Sequence, residues 1–433
     1  DEDLNYQECV EWLEGVSLYG KKDGLRNMYQ LMEELGNPEE GLPVVHVAGT
    51  NGKGTTCALL DSMLRKSGKR VGLFTSPHLI RYTERIRIDG AEIGTERFAE
   101  IGARVRAAAE KMEREGKAHP TFFQLVTAIA LVYFAEEKAD VAVLEVGVGG
   151  RLDATNIVKA PLCSVIASIS LDHTKTLGST IAEIAGEKAG IMKAGRPVIL
   201  AHNRQEAMEV FLRHAEELKC PVYLADDLAA EILQNDEKGI RLAIDGLEIH
   251  TSLCGDYQVE NLKTALCAAK TLGIPEEAIR LGVEEARWSG RMQWVEEEGR
   301  ADLLLEGAHN EEGAQALGQW CRHHLRGRDV TLLFSAMRKK DISSMLEGLL
   351  RDAPFRRIIF APMRDEAGLA LEEFVEAISP FKDRFVIETE RNVPAGLSRA
   401  REETKPEGLI LCAGSLYLVG EVLECLEREG KHV

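Results

Sequence analysis

The chain has 433 residues, which is long for one domain, so two or three domains are expected. Apolar residues make up 45% and charged residues 29%, as in an ordinary globular protein, and no apolar run is long enough to span a bilayer. The formal net charge of −18 argues against nucleic acid as a general partner, because phosphate backbones bind basic surfaces.

The first part of the chain predicts two helices, a strand and a phosphate-binding turn. Residues 4–36 have the apolar spacing of two helices, and Val44–Val47 predicts a short buried strand. A glycine-rich turn follows, and residues 56–64 have the spacing of a helix that packs on a sheet. Strand, glycine turn and helix together bind phosphate, because unpaired N–H groups at the helix start face the oxygens.

The turn has the sequence Gly49-Thr50-Asn51-Gly52-Lys53-Gly54-Thr55. Lys53 adds a full positive charge, and a hydroxyl after it is suited to ligate Mg²⁺. The match to the generic P-loop is imperfect, because Gly54 stands between Lys53 and Thr55. A glycine turn without a ligand is the alternative, which the flanking strand and helix disfavour.

A proline-containing loop follows the next predicted strand, Arg70–Phe74. The loop residues Ser76, Pro77 and His78 lie at the carboxyl end of the sheet, where α/β proteins place ligands. From spacing alone, ordinary turn chemistry is favoured for these residues. The arginines at 81, 85 and 87 suit either a solvated face or the binding of a carboxylate, and spacing does not decide.

An acidic residue interrupts the apolar run that begins at Asp140, after predicted helices at 95–116 and 122–137. A buried, unpaired carboxylate is costly, so Glu145 must be paired, protonated or bound to a metal, and its place at the mouth of a strand suits a hard cation. His173 follows the next strand, residues 163–169, on the same edge. A structural histidine and a functional one are equally compatible with that position.

The rest of the chain alternates between strands and helices. Residues 180–193 predict an amphipathic helix on which Lys188 is solvated, and residues 231–254 suggest hairpin strands before a long helix that ends near Leu272. Arg287–Met292 is the best candidate for a joint between domains. From Asp302 the alternation restarts and predicts a second α/β sheet of about five strands with right-handed crossovers.

The cysteines and the first residues indicate a cellular compartment. Nine cysteines without a Cys-x-x-Cys pair argue against a disulfide framework or a zinc site and favour a reducing cytoplasm. The acidic start, Asp1–Asn5, lacks the charged-then-apolar order of a secretion signal. We therefore expect a cytoplasmic protein.

Five stretches, in order along the chain, carry a family resemblance. They are His46–Thr55, Thr75–Leu79 with Glu84–Ile86, Glu145–Asn156, Ser170–Ile191, and Gly307–Asn310 with Gly414–Gly420. They resemble the folylpolyglutamate synthase and dihydrofolate synthase family, ATP-dependent ligases of the Mur ligase superfamily. The resemblance implies an N-terminal P-loop domain with a mostly parallel sheet (residues 1–290) and a smaller C-terminal Rossmann-like α/β domain (residues 291–433).

The same resemblance implies the substrates, the cofactors and the site residues. The substrates would be ATP, L-glutamate, and dihydropteroate or a folate, with two Mg²⁺ ions and a carbamylated Lys188, in a monomeric protein with no nucleic-acid or membrane partner. Catalysis would involve Lys53, His173 and Lys188. The nucleotide would contact Gly49, Thr50, Asn51, Gly52, Lys53, Gly54, Thr55, Asn261, Arg291, Glu306 and His309. The folate and glutamate would contact Ser76, Pro77, His78, Arg81, Tyr82, Arg85, Asp153 and Ser415. The metal ligands would be Thr55, Ser76, Glu145 and His173.

The chain departs from the family pattern at a few positions. Glu306 replaces the usual Asp before Gly-Ala-His-Asn, Tyr257 replaces a common His, and Gln124 replaces a common Glu. Glu311 stands where Pro is usual. None of these changes removes a predicted metal ligand or the phosphate-binding lysine.

Two other functions remain as alternatives. A peptidoglycan-precursor ligase shares the last two domains, but the resemblance at residues 75–86 and the helical start count against it. A non-catalytic regulator that kept the P-loop has no need of Glu145, His173 and Lys188. Within the family, Arg151–Asn156 resembles bifunctional bacterial members, which favours a protein with both activities.

Overall fold

The structure is a computed structural model that describes residues 4–16, 24–171 and 177–433. The α-helices are Tyr6–Glu14, Arg26–Glu34, Lys53–Lys66, Thr95–Arg114, Phe122–Glu136, Ile181–Ala189, Gln205–Glu217, Tyr257–Thr271, Glu276–Glu285, Glu311–His324, Ile342–Leu350, Leu371–Ile378, Val393–Glu403 and Leu416–Arg428. Short 3₁₀ helices are Tyr82–Arg85, Ala154–Ile157, Ala225–Asp227 and Ser379–Phe381. None of the helices within these described ranges is long and apolar enough to cross a membrane.

Eight strands form the sheet of the N-terminal part. They are β1 (Val44–Ala48), β2 (Val71–Phe74), β3 (Ile86–Ile88), β4 (Ala91–Glu92), β5 (Val141–Glu145), β6 (Cys163–Ile166), β7 (Val198–Leu200) and β8 (Val222–Leu224). Their order is β4-β3-β2-β5-β1-β6-β7-β8, and only β3 and β4 run antiparallel to their neighbours. The sheet is therefore mostly parallel, as the sequence predicts.

The register of this sheet places four loops along one edge. Val47 of β1 pairs with Glu145 of β5, Ala48 pairs with Ile166 of β6, and Phe74 of β2 pairs with Leu144. Because the strands are parallel, the segments that follow β1, β2, β5 and β6 all leave the sheet on the same side. The glycine turn, Ser76 and the side chain of Glu145 consequently belong to one edge.

The remaining strands form two further sheets. Strands β9 (Ala230–Asp236), β10 (Gly239–Ile244) and β11 (Leu247–Thr251) make a three-stranded sheet. The C-terminal sheet has the order β12-β13-β17-β14-β15-β16 and contains β12 (Gln293–Val295), β13 (Asp302–Glu306), β14 (Val330–Phe334), β15 (Arg357–Phe360), β16 (Val386–Thr389) and β17 (Leu409–Ala413).

The C-terminal sheet differs from the prediction at one edge. It has six strands where about five were expected. The additional strand, Gln293–Val295, pairs antiparallel with β13, and the prediction missed it because three residues are too few for a recognisable period-2 pattern. The apolar run Leu409–Val419 is also divided, since Gly414 (φ 120°) separates β17 from a helix that Ser415 caps.

The chain divides into two compact units. Within the described residues, the first falls in 1–231, 243–249 and 260–286, and the second in 232–242, 250–259 and 287–433. We call them unit 1 and unit 2. The predicted domain bounds, 1–290 and 291–433, stay a prediction. The predicted α/β class, with a mostly parallel N-terminal sheet and a smaller second sheet, is confirmed.

Asp61 provides a test of the packing in unit 1. It lies buried in the helix Lys53–Lys66, and burial raises the pKa of its carboxyl from 3.8 to about 6, although Arg65 Nε lies 3.1 Å from Oδ2. The folded state therefore keeps a proton that the unfolded state has lost, and stability falls as the pH rises from about 4 to about 6. A shift of about two pKa units corresponds to about 3 kcal/mol.

We expect Asp61→Asn to remove this pH dependence. Between pH 4 and pH 7, the free energy of unfolding of the variant should rise by about 3 kcal/mol relative to that of the wild type. Urea denaturation at a series of pH values measures the difference. A difference that stays constant over this range would show that Asp61 titrates in the folded protein as it does in the unfolded chain.

Candidate active site

The glycine turn after β1 has the backbone of a phosphate-binding loop. Gly52 has φ 82° and precedes the first residue of the helix Lys53–Lys66. The N–H groups of Thr50 and Asn51 both donate to the carbonyl of Ser168, at 2.9 and 3.2 Å. These bonds attach the turn to the segment that follows β6, and the helix start supplies N–H groups that have no acceptor within the helix.

Lys53 reaches from this turn to the end of the neighbouring strand. Its Nζ donates to the carbonyls of Val146 and Gly147, at 3.0 and 3.1 Å. Both carbonyls lie directly after Glu145, the last residue of β5. The ammonium group is therefore held beside the strand end that carries the predicted metal ligand.

Glu145 is 2% exposed, in agreement with the expectation that it lies in a buried strand. Its Oε1 accepts a hydrogen bond from the N–H of Ser76 at 2.9 Å, and the peptide bond from Ser76 to Pro77 is cis. Thr55, two residues after Lys53, is 3% exposed. The structure thus brings the segments of Thr55, Ser76 and Glu145 to one edge of the sheet.

The fourth predicted metal ligand, His173, lies outside the described residues, which pass from 171 to 177. Within the described ranges, no group of three or more His, Cys, Asp and Glu side chains is arranged to hold a metal ion. The described part of the predicted ligand set is not a cluster of this kind, because it combines one carboxylate, that of Glu145, with the hydroxyls of Thr55 and Ser76. Such oxygen ligands suit Mg²⁺, which binds through few protein groups and keeps water or phosphate oxygens as its other ligands.

The loop between β2 and β3 is folded around Glu84. The Glu84 carboxylate accepts the N–H groups of Leu79, Ile80 and Arg81 at 3.0, 2.8 and 2.6 Å. The side chain of Arg81 contacts Glu92 at 3.3 Å. Sequence reasoning gave Glu84 no role, although a carboxylate that follows several free backbone N–H groups within five residues is a recognisable turn signal.

The predicted substrate residues of this loop contact one another. Nε of Arg85 donates to Nδ1 of His78 at 2.8 Å, and burial, with the charge of Arg85, lowers the pKa of His78 to about 3. The rings of His78 and Tyr82 have their centroids 4.3 Å apart. The guanidinium of Arg85 lies 5.6 Å from the Tyr82 ring centroid and 5.5 Å from that of Phe122. His78 is therefore neutral at physiological pH, and Arg85 carries the local positive charge.

Asp153 is 6% exposed and holds the segment that contacts Lys53. Its Oδ1 accepts the N–H groups of Gly147 and Val148 at 3.0 and 3.1 Å, and its Oδ2 accepts the hydroxyl of Thr155 at 2.5 Å. Burial raises the pKa of the Asp153 carboxyl despite these bonds. The sequence predicted a substrate contact here and did not indicate this link to residues 147 and 148.

Lys188 is 3% exposed in the helix Ile181–Ala189, where spacing alone predicted a solvated side chain. The helix lies close against the glycines after β5, because a Cβ on Gly150 would come 2.6 Å from the carbonyl oxygen of Glu187 and 3.2 Å from Cα of Lys188. The spacing argument was wrong about exposure, since it does not include the glycine turn that packs on this helix face.

Unit 2 carries three of the predicted nucleotide residues, Arg291, Glu306 and His309, and the predicted substrate residue Ser415, around the carboxyl ends of β13 and β17. Glu306, which ends β13, pairs with Ala413 of β17, and Ser415 caps the following helix by accepting the N–H of Tyr417 at 3.1 Å. Nδ1 of His309 lies 3.0 Å from the carbonyl oxygen of Gly307. Nη1 of Arg291 lies 3.7 Å from Oε2 of Glu306.

Asn261 belongs to unit 1 and lies against the glycine turn. A Cβ on Gly52 would come 2.1 Å from Oδ1 and 2.9 Å from Cγ of Asn261. The sequence grouped Asn261 with nucleotide-binding residues only by resemblance. Its side chain packs on the turn that the sequence predicts to hold the phosphates.

Gly52→Ala is expected to lower kcat/KM for ATP by about 10²-fold, because the new Cβ displaces Asn261 from the turn. Gly68→Ala is a matched control, since Gly68 follows the same helix with φ 91° and a Cβ there would meet no atom within 4 Å. Both variants carry the same backbone strain, of about 1–2 kcal/mol. Steady-state kinetics with varied ATP separates the effect of backbone strain from that of displacing Asn261. Equal losses of kcat/KM in both variants would contradict the role of the contact with Asn261.

Two family models match this chain. One, described as the Mur ligase middle domain, matches residues 47–269, and the other, described as the dihydrofolate synthetase C-terminal domain, matches residues 292–425. The first match spans the glycine turn, Glu145 and Asn261, and the second spans Glu306 and Ser415. The chain thus contains the domains of a Mur-type ligase.

Individual relatives specify the family further. The chain is 39% identical over 359 residues to the dihydrofolate synthase/folylpolyglutamate synthase of Bacillus subtilis, a match that covers 79% of this chain and 82% of that protein. It is 30% identical to the folylpolyglutamate synthase of Lacticaseibacillus casei over 98% of this chain and 99% of that protein. The structure of E. coli FolC in complex with DHPP and ADP superposes with a TM-score of 0.86 at 29% identity and covers 99% of both chains. The chain belongs to the folylpolyglutamate synthase/dihydrofolate synthase family of ATP-dependent ligases, which confirms the family that the sequence motifs indicated.

Proposed function

We propose that the protein joins L-glutamate to dihydropteroate and to the glutamyl tail of tetrahydrofolate at the expense of ATP. An oxygen of the acceptor carboxylate attacks the γ-phosphorus, and the bond from this phosphorus to the bridging oxygen breaks, which gives an acyl phosphate and ADP. The amino group of glutamate then attacks the acyl carbon, phosphate leaves with the carbon–oxygen electron pair, and the nitrogen loses a proton. Phosphorylation is needed because a carboxylate is a poor electrophile.

The observation that carries this proposal is the meeting of three features at one edge of the sheet. The glycine turn offers N–H groups for phosphate oxygens, Lys53 lies at the end of β5, and Glu145 is buried there in contact with Ser76. Phosphoryl transfer depends mainly on positioning and on the neutralisation of negative charge. We propose that residues 49–55 hold the ATP phosphates and that Lys53 is the catalytic cation.

The donor set at this edge fits Mg²⁺, because a buried carboxylate and two hydroxyls provide hard oxygen ligands. We propose Thr55 and Glu145 as ligands of one ion, and Ser76, Glu145 and His173 as ligands of a second. The ions would neutralise the charge on the phosphoryl oxygens during transfer. The burial of Glu145 in a strand of apolar residues supports this role, since buried charged groups in proteins are paired or coordinate metals.

We assign the acceptor and glutamate to the loop after β2 and to two further positions. The proposed contacts are Ser76, Pro77, His78, Arg81, Tyr82, Arg85, Asp153 and Ser415. Arg85 supports an anionic ligand best, because it is a permanently charged group beside a neutral His78 and two aromatic rings. We propose Asn261, Arg291, Glu306 and His309 as the nucleotide contacts beyond the glycine turn.

Lys188 is proposed to carry a carbamate. The ammonium would lose one proton, and the neutral amine would add to CO₂ and lose a second, which replaces a cation by an anion that positions the metals. The burial of Lys188 (3% exposed) supports this proposal, because burial favours the neutral amine that adds to CO₂, and the proposed metal ions would balance the charge of the carbamate. Mass and ¹³C NMR spectra of protein kept in ¹³C-bicarbonate test the modification, and Lys188→Arg should show no carbamate signal.

Free thiols and charge support the remaining proposals. The nine free cysteines in the described ranges, seven of them buried, are typical of a reducing compartment, and we propose a cytoplasmic location. The net charge of −18 favours small-molecule partners over nucleic acid. We propose that the protein acts as a monomer, and analytical ultracentrifugation tests that state.

A product assay with two acceptors tests the proposed function. The protein is incubated with ATP, Mg²⁺ and radiolabelled glutamate, with dihydropteroate in one reaction and tetrahydrofolate in the other. Labelled folate products in both reactions are expected for a bifunctional protein, and labelled product in one alone would assign the single activity. ATP turnover without any labelled folate would contradict the proposal, and no turnover above that of Lys53→Ala would favour a nucleotide-binding regulator.

A further inference from the structure

Glu306 connects three segments of unit 2 through one buried carboxylate. It is 3% exposed at the end of β13. Its carboxylate accepts the hydroxyl of Tyr257 at 3.1 Å and the backbone N–H groups of Met292 and Ala308, and Arg291 Nη1 lies 3.7 Å away. The segments at 257, 291–292 and 307–308 therefore converge on this one side chain.

Tyr257 is placed for this contact by the turn before its helix. Gly255 has φ 105°, and a Cβ there would come 2.8 Å from Cε1 of the tyrosine ring. The ring can fold back over the turn because residue 255 has no side chain. Tyr257 packs beside the buried core that includes Cys254, Met292 and Ala308.

The hydroxyl is a donor throughout the physiological pH range. Burial and the charge of Glu306 raise the pKa of Tyr257 well above its usual value, so the phenol stays protonated. Burial raises the pKa of Glu306 above its usual value, although the charge of Arg291 and the hydrogen bond from Tyr257 lower it. Hydrogen bonds to a charged acceptor are stronger than neutral ones, so loss of the hydroxyl leaves a buried carboxylate with one donor fewer.

We propose that Tyr257 is a positioning residue that acts through Glu306 to fix Arg291 and the segment 307–309 for the bound nucleotide. Two of the positions at which the chain departs from the family pattern, 257 and 306, are thus in contact, and the longer acid is matched by a phenol. This inference rests on the proposed nucleotide contacts of Arg291, Glu306 and His309.

Tyr257→Phe tests the proposal, because it removes one oxygen and keeps the ring. Calorimetric titration with ADP measures binding without any need for turnover. We expect the Kd for ADP to rise about tenfold, which is the lower end of the range for the loss of one hydrogen bond to a charged group. Tyr133→Phe is the control, since Tyr133 lies in the helix Phe122–Glu136 of unit 1. This variant should bind ADP as the wild type does.

A second pair of variants distinguishes positioning from a general effect on folding. Glu306→Asp withdraws the carboxylate from Tyr257, so the double variant Tyr257→Phe/Glu306→Asp should lose less ADP affinity than the product of the two single losses. The pH dependence of ADP affinity gives an independent readout. The titratable and charged groups that face Glu306 are Arg291, Tyr257, Cys254 and Cys321. Removal of the Tyr257 hydroxyl raises the pKa of Glu306, because the hydrogen bond from this hydroxyl lowers it. Weakening of ADP binding on acidification should therefore begin at higher pH in Tyr257→Phe.

The outcomes separate this inference from the proposed function. A wild-type protein that binds ADP, with Tyr257→Phe binding it equally well, would overturn the inference and leave the proposed ligase intact. Strictly multiplicative losses in the double variant, or an unchanged pH profile, would also overturn it. A wild-type protein that does not bind ADP would overturn both.

Discussion

Lys53→Ala is expected to lower kcat/KM for ATP-dependent ligation by about 10³-fold, as for the loss of a preorganised charge at a transferring phosphoryl group. In the wild type, Nζ of Lys53 donates to the carbonyls of Val146 and Gly147, which places the ammonium beside Glu145. The variant keeps the glycine turn and loses the positive charge. Formation of labelled folate product and release of ADP measure the effect together.

Lys66→Ala is the control for this change. Lys66 lies in the last turn of the same helix and pairs with Glu285 at 2.6 Å, with 33% and 54% of the two side chains exposed. Exposed pairs contribute about 1 kcal/mol or less, so activity should stay within about twofold of wild type. If Lys53→Ala kept as much activity as Lys66→Ala, the lysine of the turn would have no part in phosphoryl transfer.

Glu145→Gln is expected to lower kcat by about 10²-fold or more and to shift the Mg²⁺ dependence to higher concentrations. The amide keeps the shape of the side chain and an oxygen for the N–H of Ser76, but it removes the negative charge that a cation needs. The fold should be retained without Mg²⁺, because the amide has the same shape and volume as the carboxylate that it replaces. Activity measured across a Mg²⁺ titration, together with urea denaturation, checks both expectations.

Asp61→Asn serves as the control, since Asp61 is another buried acid in unit 1 whose carboxylate pairs with Arg65. Its activity and Mg²⁺ dependence should match those of the wild type at neutral pH. The proposed metal role of Glu145 would be wrong if Glu145→Gln had the Mg²⁺ dependence of the wild type and an activity within about threefold of it.

Local sequence predicted the parts of the site that depend on short-range geometry. The turn at Gly52 requires a left-handed residue before a helix, and the burial of Glu145 follows from the apolar run around it. Each feature lies on a strand or within a few residues of its end, so apolar periodicity and the placement of glycines were sufficient to predict it.

Contacts between distant segments were beyond sequence reasoning. Gln124, one of the departures from the family pattern, exchanges two hydrogen bonds with Asn27, at 2.8 and 2.9 Å, across 97 residues of chain. The bond from Tyr257 to Glu306 spans 49 residues. In both cases the partner of a residue that departs from the family pattern is determined by tertiary packing, which no local sequence pattern contains.

Spacing arguments missed two features of the described residues. Spacing predicted a solvated Lys188, whereas the structure buries it, and spacing gave no indication that the N–H of Ser76 donates to Glu145. Spacing failed because the register of β2 beside β5, and the packing of Gly150 on the helix that carries Lys188, are decided by the whole sheet. His173 lies outside the described residues, and its role as a ligand stays a proposal.

Transfer of oxygen from acceptor to phosphate tests the central claim most directly. Dihydropteroate labelled with ¹⁸O in its carboxylate is incubated with the protein, ATP, Mg²⁺ and glutamate, and the released phosphate is analysed by mass spectrometry. An acyl phosphate requires one ¹⁸O atom to appear in phosphate for each amide bond formed. Phosphate without ¹⁸O, released together with a glutamylated product, would contradict the proposed activation of the carboxylate by ATP.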